Sequence, residues 1–386
     1  MFKRWLSIKP DRNCLIIGPR RSGKTTFLKQ AFSDYAYVTL DDLDNLEWAK
    51  RDAKGFILSL GERAAIDEIQ RLPSLTVAVK YAIDNANARF IMTGSSSLGL
   101  LDSSADTLAG RIRILSLPTA CWGEALSQPD HSVFGDRLDP SALRKAQRTL
   151  DAAVGFGQFP EVLMQDSESD KRDVLNLYKN SYFTRDLMQM SNIGNLEGLL
   201  AVFHNLARSI GSHLEVSSFS RESGLSHPTS KKYLDTLFQS QLTLRLYGYQ
   251  FGPAKRYIKA SKTYFADNGI IEAMGIGLSQ GQLLENFVIA ELEKRRKLGF
   301  IKSDQFFYYK SAGGREIDLI FEEEGVLNAV EVKASRIPGA GDIRNLKEFS
   351  KGMDRPVECF LFHTGMEYDT VDGVDLIPVS ALFRGK

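Results

Sequence analysis

The first third of the chain alternates short apolar runs with amphipathic stretches. Leu15–Ile17, Tyr35–Leu40, Arg63–Glu68 and Arg89–Ser95 are runs of strand length that end in polar residues. Between the last two, Leu75, Val79, Ala82 and Ile83 recur near helical spacing behind Pro73, which predicts a helix from Pro73 to Asn85 with the proline in its first turn. Leu108–Ile114 predicts one more strand, with Arg111 and Arg113 on one face and unpaired. Strands alternating with helices predict a parallel α/β sheet.

The middle of the chain loses this alternation. Residues 140–154, 171–190 and 199–210 read as helices. Val216–Phe219, a turn holding Gly224, and a helix opening at His227–Pro228 follow, which is helix-turn-helix spacing. Tyr233, Leu234, Leu237 and Phe238 form its buried face; Thr229, Ser230, Lys231 and Lys232 sit at the exposed front. Leu242–Tyr247 and Tyr257–Phe265 alternate like a two-stranded wing, with Lys255, Arg256, Lys259 and Lys262 near its tip. Such a unit meets DNA bases and phosphates through the front of its second helix, so Lys231, Lys232, Lys255 and Arg256 are candidate DNA contacts. His204, His213 and His227 are not spaced as metal ligands and read as surface or capping residues. Beyond them, Gln282–Leu298 reads as a helix with Glu285 beside its apolar stripe. Gln305–Lys310, Arg315–Phe321 and Val326–Lys333 read as strands joined by turns at 311–314 and 324–325.

Composition narrows the class without choosing a function. At 386 residues, two or three domains are expected, and 43% hydrophobic with 25% charged residues is globular. A formal net charge of +1 means that any nucleic-acid surface is a local patch. Cys14, Cys121 and Cys359 are too few and too scattered for a disulfide framework. No run is long enough to span a bilayer, and Met1–Arg4 lacks a following signal-length apolar core; together these point to the cytoplasm and away from membranes.

The residues at the strand ends carry candidate chemistry. Gly18 to Thr25 reads Gly-x-x-x-x-Gly-Lys-Thr directly after an apolar strand and before a helix, which is the phosphate-binding P-loop. Gly18, Pro19, Arg20, Arg21, Ser22, Gly23, Lys24, Thr25 and Thr26 would wrap the phosphates of ATP with backbone N–H groups and a helix N-terminus. Lys24 would reach the β- and γ-phosphates, and Thr25 would hold Mg²⁺. Asp67, ending its strand, would hold the same ion through water, and Glu68 would polarise the attacking water. Thr93 or Ser95 is placed to sense the γ-phosphate, although a helix N-cap at Ser95 fits equally. Arg111 or Arg113 is a candidate arginine finger, acting in cis or across a subunit interface.

Gly-Pro-Arg-Arg-Ser-Gly-Lys-Thr-Thr, Ile-Asp-Glu-Ile-Gln-Arg-Leu-Pro, Ile-Met-Thr-Gly-Ser-Ser and Leu-Ala-Gly-Arg follow one another here as in the predicted AAA-type ATPases of bacteria and archaea. Gly157–Glu161 resembles that family's Gly-Phe-Pro-Glu with one residue inserted, and Tyr182–Asp186 its Tyr-Phe-x-Arg-Asp. The resemblance covers nearly the whole chain. It implies an AAA+ parallel-sheet domain with a helical lid, and ATP hydrolysis by a homo-oligomer, often a ring, with a hexamer among its forms. Ser95 stands where many such proteins place an asparagine sensor.

Toward the end, Asp318 followed by Glu331-x-Lys333 on the next strand, with Glu285 on a preceding helix, resembles restriction-endonuclease-like nucleases. That resemblance implies Asp318 and Glu331 as Mg²⁺ ligands, Glu285 assisting, and Lys333 orienting water. The expected organisation is a P-loop AAA+ core over 1–135, a helical lid over 136–195, a winged helix over 196–265, and a mixed α/β restriction-endonuclease-like domain over 266–386. Three functions follow: an ATP- and Mg²⁺-dependent motor on duplex or branched DNA, an ATP-gated metal-dependent nuclease, or a regulatory or defence ATPase that switches protein partners.

Overall fold

Five parallel strands come from the first part of the chain: β1 Cys14–Ile17, β2 Ala36–Thr39, β3 Arg63–Asp67, β4 Arg89–Gly94 and β5 Arg113–Ser116. They lie in the order β2-β3-β4-β1-β5. The structure, a computed structural model, describes residues 2–9, 12–94, 108–126, 132–181, 195–249, 261–311 and 313–383. The chain divides into two compact units, one of Arg4–Thr119 with Gln239–Gln241, the other of Met1–Lys3, Ala120–Phe238 and Leu242–Lys386.

In the first unit the strands are apolar nearly throughout, because a parallel sheet is covered on both faces. Leu15, Ile66, Phe90 and Met92 are buried in one core with Phe56, Ile57, Leu75 and Val79 from the covering helices. After β1 the chain crosses to the far edge to make β2, and β4 and β5 flank β1. The carboxyl ends of β1, β3 and β4 therefore open on one crevice, where ligands of open parallel sheets bind. The helix predicted from Pro73 runs Leu75–Ala86.

The predicted strand over 108–114 is corrected. Arg111 N–H donates to the Leu108 carbonyl at 3.0 Å, closing a turn, and the strand begins only at Arg113. Arg111 is also not unpaired: its Nε lies 2.7 Å from Asp84 Oδ1 on the Leu75–Ala86 helix.

The second unit holds an eight-stranded sheet in the order β12-β13-β11-β10-β9-β8-β6-β7. Its strands are β6 Thr243–Gly248, β7 Lys262–Phe265, β8 Phe307–Lys310, β9 Glu316–Glu323, β10 Val326–Lys333, β11 Val357–His363, β12 Asp369–Val371 and β13 Val374–Pro378. Glu324 and Gly325, with φ of 51° and 87°, make the tight turn between β9 and β10. The helix Arg344–Lys351 crosses from β10 to β11, which are parallel. β6 pairs antiparallel with β7 and parallel with β8, so the hairpin read as a wing is continuous with the C-terminal sheet.

The helices of this unit are Pro140–Phe156, Pro160–Leu163, Glu168–Ser181, Leu196–Arg208, Val216–Ser223, His227–Gln239, Asn268–Ala273, Gln280–Lys297 and Arg344–Lys351, among the described residues. Phe203, Tyr233, Leu237, Phe265, Phe287, Val330 and Phe362 share one core, to which both helices and sheet contribute. Ser230, read as exposed, is buried one position before the exposed Lys231 and Lys232.

A buried ion network lies in the middle of this unit. Lys294 Nζ is 3.0 Å from Asp267 Oδ2, 3.0 Å from Glu291 Oε1, and donates to the Ala120 carbonyl at 3.0 Å. Burial opposes the charge on Lys294, but Asp267 and Glu291 outweigh it and hold the ammonium protonated. Arg295 pairs with Glu291 at 2.6 Å, and Glu291 also accepts from Trp122 N–H at 2.9 Å. Asp267 accepts from Gln158 N–H at 2.9 Å, and a Cβ on Gly157 would lie 1.9 Å from Asp267 Oδ1. The Gly157–Glu161 motif is thus where two backbone segments come too close for any side chain. No helix among the described residues is long and apolar enough to cross a membrane.

Candidate functional site

Two clusters hold a lysine among candidate catalytic carboxylates, one in each unit. The first is built by the loop between β1 and the helix Lys24–Ala31. Gly23 caps that helix with φ 90°, turning the first N–H groups toward the crevice. A Cβ on Gly18 would lie 2.1 Å from the Leu117 carbonyl, so only glycine lets the loop close. Arg4 braces the loop: its guanidinium donates to the Ser22 carbonyl at 2.6 Å and to the Pro118 carbonyl at 2.9 Å.

Lys24 is buried, and its Nζ donates to the Gly18 and Pro19 carbonyls at 3.0 and 2.9 Å. Burial pushes this ammonium down to about 8, with Glu68 and then Asp67 pulling against the shift. Asp67, at the carboxyl end of β3, is held by neutral hydroxyls. Thr25 Oγ1 donates to its Oδ2 at 2.7 Å, Tyr37 OH donates to the same oxygen at 2.9 Å, and Thr93 Oγ1 donates to Oδ1. Thr93 also accepts from Glu68 N–H at 3.2 Å. Glu68 itself stands in left-handed backbone, φ 60°, and accepts from Gln70 Nε2. Such conformations in non-glycine residues concentrate at functional sites. Burial pushes the Glu68 carboxyl up, against the pull of Lys24.

The structure therefore brings together Lys24, Thr25, Asp67, Glu68 and Thr93. Arg111 is turned to Asp84, and Arg113 is exposed on β5 at the edge of the sheet. Ser95 lies outside the described residues, as do Lys255, Arg256, Lys259 and the Tyr182–Asp186 motif. Sequence reasoning missed Tyr37 and Arg4. Tyr37 alternates in its strand like any half-exposed residue, and no local signal marked Arg4.

The second cluster forms on the eight-stranded sheet. Asp318 Oδ2, on β9, accepts from Val332 N–H of β10 at 3.0 Å. Glu331 and Lys333 share a face of β10, and their side chains lie 2.8 Å apart. Glu285, from the helix Gln280–Lys297, accepts from Tyr264 OH at 2.7 Å. Burial first, and the Asp318 charge second, push both Glu285 and Glu331 upward. Glu331 Oε1 is buried with no hydrogen-bond partner. Three residues outside the predicted set complete the cluster. Lys262 of β7 pairs with Glu316 at 2.5 Å and Asp318 at 3.8 Å, Tyr264 follows on the same strand, and His213 Nδ1 lies 3.2 Å from Tyr308 OH. His213 Nε2 lies 2.8 Å from Lys310 Nζ, so it belongs beside the cluster rather than to the surface set. Among the described residues, no group of three or more His, Cys, Asp or Glu is arranged to hold a metal ion.

The sheet order, the P-loop geometry and the strand-end Asp67 define the first unit as an ATPase-type nucleotide-binding domain. Residues 10–126 match the family model described as an AAA domain, so this region is an AAA+ P-loop domain. Residues 147–282 match a domain of unknown function, DUF8612, and residues 280–382 another, DUF4143. The chain is 26% identical to an uncharacterized protein of Methanocaldococcus jannaschii, over 84% of this chain and 76% of that one. It is 23% identical to an uncharacterized protein of Mycobacterium tuberculosis, over 84% of this chain and 70% of that one. Among solved structures it is similar to the Aeropyrum pernix ORC1 protein in complex with DNA, at 12% identity and TM-score 0.31, over 74% of this chain and 89% of that one. It is also similar to a signal-transduction ATPase with a tetratricopeptide repeat sensor from Pyrococcus horikoshii, at 11% identity and TM-score 0.24, over 77% of this chain and 46% of that one. Both scores lie below the level of a shared fold.

Proposed function

We propose that this chain is an AAA+ ATPase that binds and hydrolyses ATP with Mg²⁺ and works on DNA as a homo-oligomer. The observation that carries the ATPase reading is Asp67, a strand-end carboxylate oriented by Thr25, Tyr37 and Thr93 at the mouth of the P-loop. The residues suit the ligand: the loop closes only around Gly18, and the Lys24 ammonium rests on backbone carbonyls rather than on a carboxylate. Thr25 and Asp67 would hold Mg²⁺, which when bound neutralises charge on the β- and γ-phosphates. Lys24 binds and orients those phosphates, and Glu68 takes the proton of the attacking water. Arg113 begins β5 opposite Cys14, at the amino end of the sheet away from the P-loop, so as an arginine finger it would serve a neighbouring subunit; Arg111 would have to leave Asp84. Steady-state ATP turnover measured over a concentration series, with and without DNA, tests the reading. Wild type is expected to hydrolyse ATP and Lys24→Ala not to; a wild-type protein without turnover under every condition sinks it.

The DNA part rests on exposed Lys231 and Lys232 at the front of the helix His227–Gln239, together with Lys255 and Arg256. Light scattering with a non-hydrolysable ATP analogue tests assembly, and a strictly monomeric active enzyme contradicts it. The nuclease alternative is favoured by one observation, that Glu285, Asp318, Glu331 and Lys333 come to one cluster. Their oxygens suit a hard cation, but their arrangement holds none, so no cleavage step is derived through a metal.

A further inference from the structure

The carboxylates of the second cluster already have a cation. We propose that Lys262 is the resident cation of this cluster and occupies the place a divalent ion takes in the nucleases that β8–β11 resemble. The inference rests on that reading of the C-terminal sheet.

Lys262 is only 2% exposed, at the start of β7 where it pairs with Leu246 of β6. A buried ammonium needs polar or charged partners that replace its lost hydration, and here they are carboxylates. Its Nζ lies 2.5 Å from Glu316 Oε1 and 3.8 Å from Asp318 Oδ1, and it faces the Tyr308 ring at 5.6 Å. Each remaining carboxylate has at least one partner, although Glu331 Oε1 has none. Glu331 is paired with Lys333, Glu285 accepts from Tyr264, and Asp318 accepts from Val332 N–H. The Gly211 backbone closes over Glu285, where a Cβ would lie 2.8 Å from Oε1. Lys310 reaches Glu316 from the solvent side at 3.7 Å.

A divalent ion placed among Asp318, Glu285 and Glu331 would face the Lys262 ammonium as a like charge at close range. Metal and lysine are then alternatives for one position. Lys262 and Tyr264 also come from outside the 280–382 stretch, so the site is completed by a strand that the C-terminal region does not itself contain.

The test uses the full chain without nucleotide. Mn²⁺ binding is read by electron paramagnetic resonance titration and by the shift of the melting temperature. Wild type is compared with Lys262→Met, Lys262→Arg, Asp318→Asn and the double variant Lys262→Met/Asp318→Asn. Removing the competing charge is expected to tighten Mn²⁺ binding at one site by about tenfold or more in Lys262→Met. Lys262→Arg keeps the charge and should bind as weakly as wild type, and the double variant should lose the gained site. If Lys262→Met folds only with Mn²⁺, that rescue supports the proposal, provided the double variant is not rescued. A Lys262→Met protein that neither folds nor is rescued overturns it. So does a wild type that binds Mn²⁺ as tightly as Lys262→Met while Asp318→Asn abolishes both, which leaves the nuclease-like reading standing. Mn²⁺ binding in Lys262→Met that survives Asp318→Asn removes the nuclease-like reading itself, and this proposal with it.

Discussion

The P-loop site and the C-terminal acid cluster contain the same kinds of residue and use them in opposite ways. In the first, Lys24 touches only carbonyl dipoles, and Asp67 is oriented by hydroxyl groups that carry no charge. Its ammonium is spare, and a polyanion entering the crevice would find it unneutralised. In the second, Lys333 and Lys262 are bonded directly to carboxylates, so charges cancel inside the protein. The buried trio Asp267, Glu291 and Lys294 carries that second arrangement further, with no exposed member. Whether a buried lysine serves a ligand or the fold is decided by what its ammonium touches, and that contrast can be broken experimentally.

Its strongest test is Lys294→Met. Leaving Asp267 and Glu291 buried without their cation should cost about 3–5 kcal/mol. Thermal or urea unfolding checks this; a melting temperature within experimental error of wild type would show that buried compensation here is not structural. Glu68→Gln comes next: ATP binding should survive while turnover falls by about 10²–10⁴-fold, the usual contribution of a general base. Radiolabelled nucleotide retained on the protein, together with steady-state rates, reads both halves of that outcome.

Lys24→Ala sharpens the comparison from the other side. Losing charged hydrogen bonds to phosphate should weaken ATP binding by about 1.5–3 kcal/mol, without lowering the melting temperature of the nucleotide-free protein. Stability is the discriminating readout, because burial already disfavours this ammonium in the empty site; a Lys24→Ala protein that melts much earlier would place Lys24 with the structural lysines. The smallest effect is expected from Lys231→Ala and Lys232→Ala. Each should reduce the slope of log affinity against log salt for duplex DNA by about one, uniformly across sequences. An unchanged slope would leave the helix His227–Gln239 a packing element.

The P-loop was legible in the sequence because its geometry is local: Gly18, Gly23, Lys24 and Thr25 must follow one another for the turn to work. Asp67 and Glu68 were legible through their place after an apolar run. Tyr37, Arg4, Lys262 and Tyr264 were not, since each meets its partners only after the sheets assemble. Lys262 alternated like a surface residue on a half-buried strand, and nothing in a two-residue period says which strand will lie alongside. Glu291, Lys294 and Arg295 were illegible for a different reason. Charges three and four apart on a helix normally mark a solvated face, whereas here that face is enclosed by Ala120, Trp122 and Leu382. Arg111 looked available because its partner, Asp84, sits on a helix well before it.

The strand β6 has a consequence for how such chains are divided and exchanged. One of its edges completes the pairing with β7, and the other pairs Tyr247 and Gly248 with Phe307 and Tyr308 of β8. A recombination event, or a cloning primer, that cut the chain near residue 280 would leave β8 with a raw edge, the kind of surface on which strands of neighbouring molecules add and precipitate. It would also strip Lys262 and Tyr264 from the acid cluster. The piece that gene shuffling can move intact is therefore larger than the C-terminal 280–382 match: it runs back through β6 at least to Thr243.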